Sequence, residues 1–288
     1  MTTIKDSFLL GLVGRGITQS RTPEMHMAEA RAQNLCCIYQ LHDVDDLPVD
    51  EQSLNDVLRT AEMAGYDGLN ITFPYKVEVL SLLDEISPEA AAIGSVNTVL
   101  FRGGRRVGHN TDYWGFAESF RVNMTGANVE NVLLIGAGGA GGAVAHALAD
   151  CGVQHLKIHD VDFARAEQLA ALICANRPDV LVEAIASLDQ KSADTLSGVV
   201  NASPVGMAKL PGSPFPKDLL RSDIWVADIV YFPLETELLN NARRLGCRVL
   251  PGSGMAVFQA VKAFELFTGR GTNPDRMRET FNTFDDQI

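Results

Sequence analysis

The stretch from Asn131 to Gly142, NVLLIGAGGAGG, constrains this chain more than any other. Its apolar run Val132, Leu133, Leu134, Ile135 has the character of a strand buried on both faces of a parallel sheet. Gly136, Gly138 and Gly141 follow in G-x-G-x-x-G order, and AVAHALADCG then reads as an apolar-faced helix that stops at Gly152. In such a unit the first glycine tightens the turn, the second lets backbone approach a pyrophosphate, and the third lets helix and strand pack closely. The helix N-terminus offers its unpaired N–H groups to the phosphates. A glycine-rich turn before a helix can also be purely structural, so the next strand, HLKIHD, carries added weight. It ends at Asp160, 24 residues past Gly136, close to where an acidic side chain would bind the adenosine ribose hydroxyls.

With 288 residues, 46% hydrophobic and 21% charged, the chain has material for one large or two moderate domains. A formal charge of −12 argues against nucleic acid or an anionic membrane as the main partner. The start, MTTIKDSFLLGLVG, has neither a basic leader nor a small-residue cleavage site, and no apolar run approaches membrane-spanning length. The expectation is a cytoplasmic protein. Cys36, Cys37, Cys151, Cys174 and Cys247 are odd in number, lack C-x-x-C spacing and mostly sit in apolar patterns suited to buried free thiols. Neither a disulfide framework nor a zinc or other metal site is expected.

Along the chain, FLLGLVG (8–14) reads as a buried strand entering the polar turn RGITQSRTPEMH, followed from about Pro23 by a helix carrying His26, Ala30 and Leu35. Open α/β sheets bind ligands at strand carboxyl ends, so Ser20 and Thr22 are candidate contacts for a small polar molecule, with helix capping by either as the plain alternative. CCIYQLHDV is a second strand, SLNDVLRTAEMAGYDG an amphipathic helix, and GLNITFP a third strand, a βαβαβ unit in its own right. Asn70, Thr72 and Lys76 cluster where Pro74 stops that strand; an ordinary exposed lysine is the alternative for Lys76. VEVLSLLDEIS reads as a helix, AAAIGSVNTVLFRGG as a strand containing Asn97, and Gly103-Gly104 as the hairpin turn into RVGHNTDYWGF. Asn97 and Asp112, beside apolar strands, are either satisfied core polar groups or parts of a site. Lys76 with Asp112 would make an acid/base pair.

A helix from about Trp114 leads to the nucleotide unit. Beyond Asp160 come a helix (FARAEQLAALICANRP), a short strand (VLVEAIAS) and the buried strand SGVVNASPVGM, whose loop Ser203 to Gly206 is placed to cover a cofactor. A strand to Tyr231, a helix to Arg244 and a strand ending at Gly252 follow. GMAVFQAVKAFELFTG is a buried-faced helix with Gln259 as its polar exception, and PDRMRETFNTF is a short amphipathic helix.

Several of these strings resemble the shikimate/quinate dehydrogenases, and the likeness covers essentially the whole chain. SRTPEMH resembles the family's serine-rich substrate loop, GLNITFPYK its N-x-T-x-P-x-K motif, and GSVNTV and GHNTDYWGF its N-T and N-T-D-x-x-G motifs. GAGGAGGA is similar to its cofactor loop and GMAVFQAVKAFELFTG to its closing helix. The resemblance implies an α/β enzyme of two domains with a cleft between them. Residues 1–115 with 254–288 would form a substrate-binding domain with a mostly parallel sheet, and 116–253 a Rossmann NAD-binding domain.

Position by position, the resemblance assigns Lys76 and Asp112 as the catalytic pair and Ser20, Thr22, Asn70, Thr72, Asn97, Tyr231 and Gln259 as substrate contacts. Gly136, Ala137, Gly138, Gly139, Ala140, Gly141, Asp160, Arg165, Ser203, Val205, Val230, Gly252 and Met255 are the expected cofactor contacts. Two features depart from the common biosynthetic form: Thr22 stands in S-R-T where that form has S-x-S, and HDVDFAR replaces the basic segment that receives the 2′-phosphate of NADP. Asp160, with Asp162 nearby, would bond the ribose hydroxyls of NAD and repel a 2′-phosphate. The expected partners are thus NAD and a small hydroaromatic acid, as in the NAD-dependent quinate/shikimate branch, with the protein a monomer or homodimer. The alternatives are a biosynthetic NADP-dependent shikimate dehydrogenase, an aminoshikimate-type relative, and, from another class, a non-catalytic nucleotide-binding sensor.

Overall fold

The computed structural model describes residues 5–46 and 53–283. The chain divides into two compact units, one made of residues up to Thr111 with those from Val257 on, the other of Asp112–Ala256.

The first unit holds a six-stranded sheet in the order β2-β1-β3-β5-β6-β4. Its strands are β1 (Ser7–Gly14), β2 (Cys36–Asp43), β3 (Gly68–Ile71), β4 (Glu85–Ile86), β5 (Thr98–Arg102) and β6 (Arg105–His109). β1 pairs in parallel with both β2 and β3 because helices α1 (Thr22–Ala32) and α2 (Leu54–Met63) carry the chain back between them. β5 and β6 run antiparallel through a two-residue turn at Gly103-Gly104, both with positive φ, as the tight hairpin requires. α2 buries Leu54, Leu58 and Ala61, one face at helical spacing. α10 (Pro274–Asn282) lies along α1, where the fully buried Glu29 carboxylate accepts from Arg276 Nε at 2.6 Å and from the Asn273 N–H at 3.2 Å. Arg21 Nη1 donates to the Phe281 carbonyl at 2.8 Å, and its guanidinium lies over the Phe281 ring.

The second unit is a six-stranded, wholly parallel sheet in the order β12-β11-β10-β7-β8-β9. Its strands are β7 (Asn131–Ile135), β8 (His155–His159), β9 (Leu181–Ala184), β10 (Gly198–Asn201), β11 (Trp225–Asp228) and β12 (Arg248–Leu250). The helices are α4 (Thr111–Asn123), α5 (Gly139–Asp150), α6 (Phe163–Asn176), α7 (Gln190–Asp194), α8 (Glu237–Leu245) and the start of α9 (Ser253–Thr268). The unbroken apolar run of β7 is explained by its two covered faces: Val132 and Leu134 pack with Phe116, Phe120 and α5, while Leu133 and Ile135 pack with Leu238, Leu239 and Ala242 of α8. Each such side chain contributes roughly 1.5–3 kcal/mol by leaving water. The chain travels outward from β7 to β8 and β9, then returns to β10 on the other side, so the strand order reverses at β7. Ligands of such sheets bind at the carboxyl ends of the strands that flank the reversal.

Six expectations fail locally. VEVLSLLDEIS is not an α-helix but a 3-10 turn at Glu78–Leu82 followed by β4, because Leu83 is extended and Ile86 pairs with Gly108. AAAIG closes a helix, α3 (Pro88–Ile93), capped by Ser87 and stopped by Gly94, so Asn97 precedes β5 rather than lying inside it. α4 starts three residues before Trp114, which puts Asp112 in a helix's first turn. β11 ends at Asp228, leaving Val230 and Tyr231 in the loop beyond it, and α1 ends before Leu35. Of the cysteines only Cys247 is buried; Cys36 and Cys174 are exposed, the former on an edge strand. All five are free thiols.

Candidate active site

In the first unit the carboxyl ends of β1 and β3 bring most of the expected substrate residues together. The Arg15 N–H donates to the Phe73 carbonyl at 2.9 Å, and Gly14 has no room for a Cβ because the Thr72 methyl occupies its place. The turn carrying Ser20 and Thr22 is thereby tied to the turn carrying Thr72 and Lys76. Arg21 holds the N-cap position of α1 without a side-chain capping bond, while Ser20 Oγ accepts from the Thr22 N–H at 3.3 Å. Thr22 is buried and Ser20, Thr72 and Lys76 are half-buried.

Asn70 and Asn97 are nearly buried and join one hydrogen-bond network. Tyr39 Oη donates to Asn70 Oδ1 at 2.8 Å, and Asn70 Nδ2 donates to Thr98 Oγ1 at 2.9 Å and to the Asn97 carbonyl at 3.3 Å. Asn97 Oδ1 accepts from the Thr111 N–H at 2.7 Å, and Asn97 Nδ2 donates to Thr111 Oγ1 at 2.9 Å. Asn97 thus caps the helix on which Asp112, only 6% exposed, is the next residue. Gln259 lies half-buried on α9. Behind the network His26 is completely buried against Tyr39, Phe264 and Phe267, with ring centroids 5.0, 5.8 and 5.9 Å away. Neither ring nitrogen has a hydrogen-bond partner among the described residues, and burial pushes its pKa down to about 3.

In the second unit the glycine turn is built by close contacts. Gly136 has φ +106 and backs onto the Ala202–Ser203 backbone, and a Cβ on Gly141 would overlap the Gly136 carbonyl oxygen. Gly138 is different: it is exposed, and among the described residues nothing beyond its chain neighbours lies within 4 Å of where its Cβ would be. It caps α5 with no side-chain bond, whereas Asp162, Asp189 and Thr236 cap α6, α7 and α8 with their own oxygens. Gly138 thus puts no side chain at the N-cap of α5, and backbone is what that end of the helix presents to a ligand. Asp160 Oδ2 accepts from the Ala137 N–H at 2.7 Å and Oδ1 from the Asp162 N–H at 2.9 Å, which fixes the carboxylate against the turn. Arg165 is exposed and paired with Asp162 at 3.3 Å, one turn into α6.

Two loops at the carboxyl ends of β10 and β11 are held by a buried pair. Asn201 Oδ1 accepts from the Ser203 N–H and Oγ, and its Nδ2 donates to the Val205 carbonyl and to Asp228 Oδ1, all within 2.7–2.9 Å. Asp228 also accepts from the Val230 N–H at 3.0 Å and Thr236 Oγ1 at 2.7 Å. Burial raises its carboxyl to about 6 against these donors. Gly252 packs against the Ile229 and Val230 carbonyls, Met255 is buried beside this layer, and Tyr231 is half-buried.

Residues 12–99 match the family described as the shikimate dehydrogenase substrate binding domain. The chain is 48% identical to the shikimate dehydrogenase (NADP(+)) of Streptomyces avermitilis, over 95% of this chain and 94% of that one. It is 46% identical to the quinate/shikimate dehydrogenase (NAD(+)) of Corynebacterium glutamicum, over 96% and 99%. The chain belongs to the shikimate/quinate dehydrogenase family. Members of this family are oxidoreductases that act on a CH–OH group with NAD or NADP. Among solved structures the quinate dehydrogenase from Corynebacterium glutamicum in complex with NAD matches with a TM-score of 0.90 at 45% identity, over 97% of this chain and 100% of that one.

A dinucleotide fits what this member of the shikimate/quinate dehydrogenases offers: a helix N-terminus at α5 with no side chain at its cap, an open approach at Gly138 and an acceptor fixed at Asp160. Among the described residues no group of His, Cys, Asp or Glu is disposed to hold a metal ion, and no helix is long and apolar enough to cross a membrane. The sequence reading did not single out Tyr39, Thr98, Thr111, Asn201 or Asp228. The Asn-Thr pairs 97–98 and 110–111 were a visible signal for the threonines; nothing local distinguishes Tyr39 or Asp228.

Proposed function

We propose that this chain is an NAD-preferring dehydrogenase that reversibly oxidises the C3 hydroxyl of shikimate and quinate to 3-dehydroshikimate and 3-dehydroquinate. The observation that carries the cofactor choice is Asp160, whose carboxylate is fixed on the glycine turn by the Ala137 N–H. Relatives named for NADP and for NAD lie at nearly equal identity, so overall similarity does not separate the two, and the local charge is what supports NAD. A phosphate charge 4 Å from that carboxylate would be opposed by about 4 kcal/mol at an effective dielectric of 20. Arg165, engaged by Asp162, is the nearest basic residue in sequence after β8 and offsets little of this.

In this reading the first unit binds the acid and the second binds the nucleotide. A nicotinamide bound by the second unit would supply the hydride acceptor for the carbinol carbon. Lys76 Nζ receives the hydroxyl proton as the hydride leaves and returns it in reverse. Asp112 is the second proton-handling group. Ser20, Thr22, Thr72, Tyr231 and Gln259 supply hydroxyl, phenol and amide groups for a polyol acid. Asn70, with both amide hydrogens committed, offers only its carbonyl oxygen, whereas Asn97 keeps an amide hydrogen to donate. Groups of this kind both orient a substrate hydroxyl and penalise an analogue that lacks it.

The test is steady-state kinetics with both acids and both cofactors, read from reduced-nicotinamide absorbance. The expected result is turnover of shikimate and quinate with NAD at a kcat/KM well above that with NADP. Comparable values with the two cofactors would remove the Asp160 argument, and no turnover with either acid would remove the activity.

A further inference from the structure

The turn that carries Ser20 and Thr22 is shaped by a side chain from another strand. Gly16 has φ +65, and the residues around it direct consecutive backbone N–H groups toward one point, the geometry of an anion-binding nest. The nest holds the protein's own carboxylate. Asp43, the last residue of β2 and 9% exposed, accepts from the Gly16 N–H at 2.9 Å through Oδ1 and from the Ile17 N–H at 2.7 Å through Oδ2. The Thr18 N–H bonds to it as well, and Oδ1 also accepts from the Asp45 N–H at 3.1 Å. Burial works to raise this carboxyl, but the backbone donors outweigh burial and hold it below the ordinary carboxylate value.

From that anchor the chain reaches the hydroxyls in two short steps. The Ser20 N–H donates to the Ile17 carbonyl at 2.9 Å, and Ser20 Oγ accepts from the Thr22 N–H. Arg15, on the other side of the nest, pairs with Asp45 at 2.6 Å and ties to the Phe73 carbonyl. Both ends of the turn are therefore set by bonds that converge on the end of β2, and Ser20 has no strand or helix of its own to fix it.

We infer that Asp43 is a positioning residue for the acid substrate: by filling the Gly16–Thr18 nest it fixes where Ser20 and Thr22 present their hydroxyls. This rests on the reading of those hydroxyls as substrate contacts. A neutral residue does not replace the carboxylate, because an Asn side chain would turn an NH2 group toward at least one of the converging N–H donors. The effect belongs to acid binding, since the bonds involved lie wholly within the first unit, apart from the glycine turn.

The experiment compares Asp43→Asn, Asp43→Ala, Ser20→Ala and Thr22→Ala in the full chain, measuring KM for shikimate and quinate, NADH affinity by fluorescence titration, and amide exchange of residues 16–18 in the free protein. Expected for both Asp43 variants is a rise in acid KM of about tenfold or more, NADH affinity within about twofold of wild type, and faster exchange at Gly16, Ile17 and Thr18. If Ser20→Ala raises acid KM while the Asp43 variants exchange faster but keep the wild-type KM, the inference is wrong and the substrate reading stands. If Ser20→Ala and Thr22→Ala both leave acid KM unchanged, the substrate reading fails and takes the inference with it. A parallel loss of acid and NADH affinity in the Asp43 variants would mark a general structural defect and overturn a positioning role.

Discussion

Replacing His26 by Leu should make the protein more resistant to acid, by an amount that the burial of the imidazole sets. In the folded chain this ring is fully enclosed, has no partner for either nitrogen among the described residues, and is held neutral down to about pH 3. In the unfolded chain it protonates near 6.5. Below that value the unfolded state takes up a proton that the folded state refuses, so stability present above about pH 6.5 is progressively lost as pH falls toward 3. The gap between 6.5 and about 3, at about 1.4 kcal/mol per pH unit, limits the loss to about 5 kcal/mol; at pH 5 it amounts to about 2 kcal/mol. Leu removes the titrating group at similar volume and keeps apolar contact with Tyr39, Phe264 and Phe267. The assay is urea unfolding of both proteins at pH 8 and pH 5, followed by circular dichroism, together with the His26 Cε1–H resonance. Wild type should lose about 2 kcal/mol more than His26→Leu between the two pH values, and the resonance should stay unshifted down to pH 4. Parallel pH dependence of the two proteins, or an imidazole titrating between pH 5 and 7, would refute the argument.

Asp160→Ala should weaken NAD while NADP, relieved of the carboxylate's repulsion, binds at least as well as to wild type; Kd values for both nucleotides check this, and equal losses would mean the carboxylate does not read the ribose. Lys76→Ala should lower kcat by about a hundredfold or more with a smaller change in acid KM, and unchanged turnover would remove Lys76 from the chemistry. Gly138→Ala and Gly141→Ala should part company. The first adds a methyl into open space at an ordinary φ of −80, so Tm should hold while NAD affinity drops. The second drives a methyl into the Gly136 carbonyl and should lower Tm even without nucleotide. A Gly138→Ala protein with wild-type NAD affinity would argue against phosphates approaching the turn there.

The parts of the fold legible in the sequence were those whose signal is local. A doubly buried strand, a glycine turn and an apolar helix occupy one contiguous stretch, and Asp160 sits at a countable distance from it. The short elements were not legible: five residues of 3-10 helix at Glu78–Leu82 and five of α7 hold too few periods to distinguish a helix from a loop. The cysteines misled because apolar neighbours in sequence do not bury a side chain on the outer face of an edge strand, as Cys36 shows. At the site, motif residues could be named, but the groups that hold them could not. Asp43, Tyr39 and Asp228 act through backbone amides or amide side chains at least 26 positions away or across a strand, and such convergence leaves no mark in the primary structure.

The first unit is assembled from both ends of the chain, and this fixes the order in which a ribosome can deliver it. Its sheet is made early, but the rings that wall in His26 come from Phe264 and Phe267, and the carbonyl that takes Arg21 comes from Phe281. Until those residues emerge, α1 has an open flank and Gly68 lacks the Phe267 ring packed upon it. The second unit, contiguous from Asp112 to Ala256, has all its residues before then. Synthesis from the N-terminus, which lets a leading domain fold first, here supplies every residue of the second unit before the last residues of the first. A nascent chain therefore holds the whole of its second unit while the first still lacks its last two helices.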